Sequence, residues 1–299
     1  MWTSGGKSTD LPKVRAFLKL VAIEHSVFAL PFAYLAALVA MREHGFSWID
    51  LLLITVAMVG ARTFAMAANR LIDRHIDARN PRTSQRELVT GAVSVRTAWT
   101  GAIAALVVFL AAAALLNPLC LVLAPLAVVP LVVYPYGKRF TDWPHAILGL
   151  AQMVGPVGAW LAVTGTFEGS GPAFVLGAAV GLWIGGFDLI YACQDAEVDR
   201  RIGVRSVPAR YGIPFALVLS TVVHVVTFGL FVWFGALVDL TWLWWVGLVL
   251  TAVAFAYEHS IVKSTDLSRV NRAFFTANGF VGIALFVFAL ADLVTRSAF

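Results

Sequence analysis

The sequence predicts an all-α polytopic membrane protein: nine transmembrane helices in one bundle, with the N-terminus and the active site on the cytoplasmic side. Three observations carry this expectation. Of 299 residues, 60% are hydrophobic and only 13% are charged, more apolar sequence than a soluble core of this size requires. The apolar residues fall in runs of about 20, the length that crosses a bilayer as a helix. The basic residues cluster on alternate connections between these runs, as the positive-inside rule demands.

Taken in order, the runs are Leu20 to Met41, Ile49 to Ile72, Ala98 to Leu116, Leu119 to Tyr134, His145 to Thr164, Ala173 to Asp195, Pro214 to Phe234, Leu240 to Ile261 and Phe274 to Val294. The fourth is short and holds Pro125 and Pro130. A polar, basic tail (Lys7, Lys13, Arg15, Lys19) precedes the first run without a small-residue cleavage site. That run therefore reads as a retained span and not a removed signal peptide. With the N-terminus placed in the cytoplasm, only three of the 22 Lys and Arg fall elsewhere: Arg42 and Arg296 outside, and Arg62 within the second span. The net charge of +5 is thus a feature of topology, and nucleic acid is not an expected partner. Cys120 and Cys193 lie far apart in apolar surroundings and suggest neither a disulfide framework nor a cysteine metal site. The external connections are brief, whereas the second-to-third and sixth-to-seventh connections hold Gly, Pro and Arg and are candidate lids. Residues 1–299 form a single transmembrane domain.

The chemistry concentrates in a pseudo-repeat of two acid motifs, 69–77 and 191–199. Asn69, Asp73 and Asp77 recur every four residues at the end of an apolar run, so on a helix they share one face. Tyr191, Asp195 and Asp199 repeat the spacing. Two acids stacked one turn apart repel each other and call for a partner of opposite charge. A divalent metal suits them, because hard cations take carboxylate and amide oxygens. Arg79, Arg82 and Arg86 follow the first motif, and Arg200, Arg201 and Arg205 the second. Two facing acid pairs flanked by arginines describe a site for metal ions bridged to a diphosphate. The plainer alternative is a set of interfacial ion pairs with Arg70, Arg74, Arg200 and Arg201.

The motif Asn69-x-x-x-Asp73-x-x-x-Asp77, followed by Asn80-Pro81-Arg82-Thr83, resembles the first aspartate motif of the UbiA superfamily of intramembrane prenyltransferases. Tyr191-x-x-x-Asp195-x-x-x-Asp199 resembles the second. The resemblance covers essentially the whole chain. Glu24 to Phe32, Tyr136 to Thr141, and Gly186 to Asp195 are similar to the branch that prenylates aromatic acids. This resemblance implies Mg²⁺-dependent transfer of a polyprenyl chain from polyprenyl diphosphate to an aromatic acid in quinone biosynthesis. It favours 1,4-dihydroxy-6-naphthoate, the acceptor of the futalosine route to menaquinone. The alternatives are 4-hydroxybenzoate, for ubiquinone, and a non-quinone acceptor such as haem, chlorophyllide or an ether lipid. The setting it implies is the lipid bilayer of the cell (inner or plasma) membrane, crossed many times.

Under that chemistry the difficult step is departure of diphosphate, and each site residue acquires an expected role. Asn69, Asp73 and Asp77 would hold one Mg²⁺, and Asp195 and Asp199 a second. Arg82, Arg86, Lys138, Arg139 and Arg205 would bind the diphosphate, unless they serve topology alone. Arg62 lies within the second span, on one stripe with Met66, Asn69, Asp73 and Asp77, and ~16 Å deeper than Asp73. An intramembrane arginine is costly and needs a partner, here either the acceptor carboxylate or Glu24 of the first span. Asp188 would accept a proton, fix an arginine or orient the acceptor hydroxyl, with Gln194 beside it. Tyr191 would steady a carbocation through its ring face or simply pack at the interface. His25 and His145 are assigned no catalytic part. Two other classes fit less well. A cation transporter should hold its acids near the midplane, and a CDP-alcohol phosphotransferase needs an Asp-Gly and Ala-Arg pattern that is absent.

Overall fold

A backbone in lipid must satisfy its own N–H and C=O groups, so apolar runs of this length fold as helices. The computed structural model describes residues 16, 17, 20 and 30–296, and among them it holds helices and connections but no strand. The order is α1 (Leu30–His44), α2 (Trp48–Asp77), α3 (Glu87–Thr90), α4 (Val95–Leu116), α5 (Pro118–Phe140), α6 (Pro144–Thr164) and α7 (Gly171–Ala192). After a 3₁₀ turn at Cys193–Asp195 come α8 (Ala196–Ile202), α9 (Val207–Tyr211), α10 (Ile213–Leu237) and α11 (Trp242–Ile261). The chain closes with α12 (Val270–Arg272), a π-helical turn at Ala273–Ala277 and α13 (Asn278–Thr295).

Among the described residues, 7 helical stretches are long and apolar enough to cross a membrane: α2, α4, α5, α6, α7 continued to Ile202, α10, and Val270–Thr295. The two other expected spans correspond to α1 and α11. Residues 21–29 of the first span, with Glu24 and His25, and the basic residues of the tail lie outside the described residues. Helix α11 has 20 residues, but its tryptophans and its Glu258-His259 pair lower its apolar character. The bundle exposes large apolar side chains such as Trp48, Leu115, Val122 and Val249. That is the surface of a polytopic membrane protein, because a water-facing monomer rarely carries apolar patches of such extent.

Two expectations about the spans are corrected. The fourth does not end at Tyr134: α5 continues to Phe140 despite Pro125, Pro130 and Pro135 within it. A proline costs one helical hydrogen bond, and in a membrane bundle neighbouring helices compensate. Lys138 and Arg139 therefore sit on the last helical turn, held rigidly. The second acid motif also departs from the first. Asp73 and Asp77 share one continuous helix, whereas Tyr191, Asp195 and Asp199 are split by the 3₁₀ turn. Equal spacing in sequence thus gives unequal local geometry.

Small residues set the helix packing nearest the site. On α7, Gly177, Gly181 and Gly185 recur every four residues, which puts them on one face. A Cβ built on Gly181 would lie 2.5 Å from the Gly149 carbonyl oxygen of α6, and one on Gly149 would lie 2.7 Å from that of Gly181. The two backbones are therefore in direct contact. Gly181→Val is expected to lower stability by ~1–3 kcal/mol or more through overpacking, read as a fall in melting temperature in detergent. An unchanged melting temperature would refute the close approach.

Deeper in the core, Phe32, Trp183, Phe231, Phe234 and Trp244 are fully buried and in ring contact. At the end of the bundle opposite the acids, polar side chains satisfy free helix ends. The buried Asp292 of α13 accepts the Thr241 backbone N–H at 2.9 Å at the start of α11. Arg42 donates to the Val238 carbonyl after α10 at 2.7 Å. Asn117 accepts from Cys120 N–H at 2.9 Å and donates to the Leu161 carbonyl at 2.9 Å, tying α5 to α6.

Candidate active site

The two acid motifs come together at one end of the bundle. Asp73 and Asp77 are 1% and 4% exposed although both are charged side chains, so each needs a strong partner. Asp73 accepts from Lys138 Nζ at 2.7 Å and from Arg139 at 3.2 Å. These bonds rest on the extra turns of α5. Asp77 accepts from Arg86 at 2.6 Å. The loop after α2 then crosses to the second motif. Asn80 donates to Asp195 at 2.9 Å, and Arg82 grips both carboxylate oxygens of Asp195, one of them through Nε at 2.9 Å. Asp199 accepts from Ser206 at 3.3 Å, and the charge of Lys138 also reaches it.

Arg82 is the hub of this end. Burial opposes its charge, but its bonds to Asp195 and the nearby Tyr191 and Asp77 outweigh burial and raise its pKa above the ordinary arginine value. It donates to the Tyr191 hydroxyl at 3.0 Å and lies over the Tyr191 ring, 5.1 Å from its centroid. That ring also meets Phe274 on the π-helical turn, with centroids 4.5 Å apart. Tyr191 is thus both packed and already engaged with a cation.

The interfacial ion pairs considered from sequence take other partners. Arg70 donates to the Leu20 carbonyl, Arg74 bonds His75, Arg200 donates to the Ala209 carbonyl and Arg201 pairs with Glu197. Arg205, placed beside the acids by the sequence reading, pairs instead with Asp142 at 3.0 Å and donates to the Phe140 carbonyl at 2.8 Å. Its backbone N–H bonds the Lys138 carbonyl at 2.9 Å, so it braces the turn that carries Lys138. Gln194 folds back onto the Tyr191 carbonyl at 3.2 Å.

Sequence reasoning missed one pair. Asp188 accepts a 2.6 Å hydrogen bond at His145 Nδ1, linking α7 to α6. The glycine contact between these helices makes the pair possible, and the glycine spacing was the available signal. Asn80 was visible within the first motif, but its reach to Asp195 was not.

Below the charged end lies a cavity of about 370 Å³ walled mainly by α2, α4, α5 and α6. It runs along α2 from Ile54 to Asn69, ~22 Å at 1.5 Å per residue. Its wall is apolar except for a few groups, chiefly Arg62, Asn69, Tyr134 and Gln152. Arg62 Nε is buried and has no hydrogen-bond partner among the described residues. Its alternative partner Glu24 lies outside the described residues.

Fold and site together define a helical membrane protein with a charged chamber over a long apolar cavity, a layout for a lipid with an anionic head. The chain belongs to the UbiA prenyltransferase family, whose model matches residues 29–280; it is an enzyme, an aromatic prenyltransferase. It is 30% identical over 247 residues to a 4-hydroxybenzoate octaprenyltransferase of Pseudomonas aeruginosa, spanning 83% of this chain and 82% of that one. To the 4-hydroxybenzoate octaprenyltransferase of Xanthomonas campestris it is 35% identical over 238 residues, 79% of this chain and 77% of the other. Among solved structures it is similar to a UbiA homologue from Aeropyrum pernix, with a TM-score of 0.80, 33% identity, and coverage of 92% and 98% of the two chains. A UbiA homologue from Archaeoglobus fulgidus bound to GPP and Mg²⁺ shares the fold at a TM-score of 0.72 and 22% identity, with coverage of 93% and 99%.

Proposed function

We propose that the protein transfers a polyprenyl chain from a polyprenyl diphosphate to an aromatic hydroxy acid, with Arg62 binding the acceptor carboxylate. The observation that carries this reading is the half-buried Arg62, whose buried Nε has no hydrogen-bond partner among the described residues, in the wall of the apolar cavity that begins one turn from Asp73. A carboxylate would give that arginine the counter-charge its position demands.

The donor set fits Mg²⁺: Asp73, Asp77, Asp195, Asp199 and Asn69 offer only hard oxygens, and all five sit at or just below the charged end. Asn69, Asp73 and Asp77 would hold one ion and Asp195 and Asp199 another. Bound there, Mg²⁺ would supply charge neutralisation for the leaving diphosphate. Lys138, Arg139, Arg82 and Arg86 bind the diphosphate oxygens, for which their resting carboxylate partners are stand-ins. Arg205 acts indirectly, by fixing the turn that carries Lys138. The apolar cavity takes the prenyl tail and excludes water from the cation that forms. The prenyl C–O bond breaks, the ring carbon forms the new C–C bond, and the ring proton leaves. Asp188, steadied by His145, is the carboxylate proposed to receive that proton. Gln194, with its amide on the Tyr191 carbonyl, shapes the rim from which Tyr191 faces the reacting centre.

The basic residues define the orientation of this reading. The acid end, with the arginine-rich loops, faces the cytoplasm, the N-terminus lies on that side, and nine spans cross the cell membrane. The acceptor we favour is 1,4-dihydroxy-6-naphthoate, on the resemblance of the segments around Pro31, Lys138 and Asp188. The names of the relatives favour 4-hydroxybenzoate as a second reading. Prenyl transfer by purified protein in detergent, with a polyprenyl diphosphate, Mg²⁺ and each acid in turn, separates them. Product from the naphthoate alone is the expected result. Product from 4-hydroxybenzoate alone would keep the enzyme class and overturn the acceptor. Diphosphate release without product from either would refute the aromatic-acid acceptor.

A further inference from the structure

A second polar cluster lies away from the aspartates, between α7, α10 and α11. His224 and Glu258 are 1% and 0% exposed, and His259 beside them is half-buried. One ligand atom from each of the three lies within 4.8 Å of the others. Hydrogen bookkeeping shows what this arrangement lacks. His224 Nε2 faces the Trp183 carbonyl at 3.2 Å, which can only accept, so Nε2 carries the hydrogen and Nδ1 is left with a lone pair. Thr221 spends its hydroxyl hydrogen on the Leu217 carbonyl at 3.0 Å and so faces His259 Nδ1, 3.2 Å away, as an acceptor. His259 therefore carries its hydrogen on Nδ1 and turns the Nε2 lone pair inward. That Nε2 lies 2.9 Å from His224 Nδ1. Glu258 accepts from Asn278 on Oε1 at 2.7 Å, while its buried Oε2 has no hydrogen-bond partner among the described residues and lies 3.5 Å from His224 Nδ1.

Three lone pairs thus converge on one point with no hydrogen between them. Such a point needs a cation. We infer that His224, His259 and Glu258 bind a transition-metal ion of the Zn²⁺ type. Two imidazole nitrogens and one carboxylate oxygen form a borderline-soft set suited to that ion, leaving a fourth position open. Tetrahedral bonds of about 2.0–2.1 Å place ligand atoms about 3.3 Å apart; the observed 2.9 and 3.5 Å bracket that value. Each ligand's outer atom is already held, by the Trp183 carbonyl, Thr221 and Asn278. This is the outer-shell support that metal-binding histidines and carboxylates ordinarily have. The ion would clamp α10 to α11. Through Asn278, which also accepts from Trp183 Nε1 at 2.8 Å and donates to the Ala273 carbonyl at 3.2 Å, the clamp connects to the π-helical turn that carries Phe274.

The test is independent of prenyl transfer. The full-length protein in detergent is stripped with a chelator, then given Zn²⁺ in a large excess of Mg²⁺, which occupies the aspartates. Metal content is measured after removal of unbound ion, and Co²⁺ absorption reports the coordination geometry. The wild type and an Asp73→Asn/Asp195→Asn double variant should each retain one Zn²⁺ per chain and gain melting temperature from it. His259→Gln and Glu258→Gln should lose at least ~100-fold in Zn²⁺ affinity, more than the ~10–100-fold that an outer-shell partner is worth. His259 is half-buried, so His259→Gln tests the site even if Glu258→Gln fails to fold. Zn²⁺ retained equally by His259→Gln, lost only with the aspartates, or absent from the wild type would overturn the inference and leave a shared proton as the cation.

Discussion

Asp73→Asn and Asp195→Asn are each expected to reduce kcat for prenyl transfer by ~10²–10³-fold or more, the cost of removing one stabiliser of developing charge. The substitutions keep side-chain shape, remove the charge and turn one acceptor oxygen into an amide donor. Asp73 holds Lys138 and Arg139, and Asp195 holds Arg82, so each variant also frees a cation. If these acids were merely structural, the variants would lose stability and retain turnover per folded molecule. Diphosphate release, measured on protein whose folded fraction is known from its melting curve, separates the cases. Turnover near the wild-type level in both variants would remove the aspartates from the chemistry.

Arg62→Ala carries the second large effect. Loss of a charge-assisted hydrogen bond of ~1.5–3 kcal/mol should raise the acceptor KM by ~10–100-fold and leave the donor KM within about two-fold. The asymmetry follows from depth. Arg62 lies three helical turns below Asp73, away from the cations that meet the diphosphate. Because the buried Nε of Arg62 has no hydrogen-bond partner among the described residues, its removal should not cost stability and is expected to raise it slightly. Equal changes in both KM values would remove Arg62 from acceptor binding, whatever happens to kcat.

The helices were legible because lipid leaves the backbone few choices; among the described residues, 7 of the expected spans are helical stretches long and apolar enough to cross a membrane. The first acid motif was legible for the same local reason: Asp73 and Asp77 lie on one uninterrupted helix, so sequence spacing translates directly into a shared face. The second was legible as a motif but not as geometry, because the 3₁₀ turn at Cys193–Asp195 breaks the helical register between Tyr191 and Asp199. Partner choice was harder. Arg70, Arg74, Arg200 and Arg201 all lie within three residues of an acid in sequence. The acids instead pair with Lys138, Arg139, Arg86 and Arg82, brought by the end of α5 and by the loop after α2. Such contacts depend on how helices cross, which no local pattern records. The extension of α5 through three prolines was illegible for a related reason, since tertiary packing overrode a strong local breaker. The His145–Asp188 pair had an indirect signal in Gly177, Gly181 and Gly185, whose spacing announces a close helix contact.

In the proposed reaction the four aspartates, with divalent cations, assist departure of diphosphate from the prenyl donor. The most direct measurement is diphosphate release from geranyl diphosphate by the purified wild-type protein, with Mg²⁺ and the acceptor, and again after chelation of all divalent ions. Release and product formation that appear with Mg²⁺ and vanish on chelation, returning when Mg²⁺ alone is restored, are the predicted result. Folded protein that releases no diphosphate with Mg²⁺ present, or releases it equally without any divalent ion, would contradict the account.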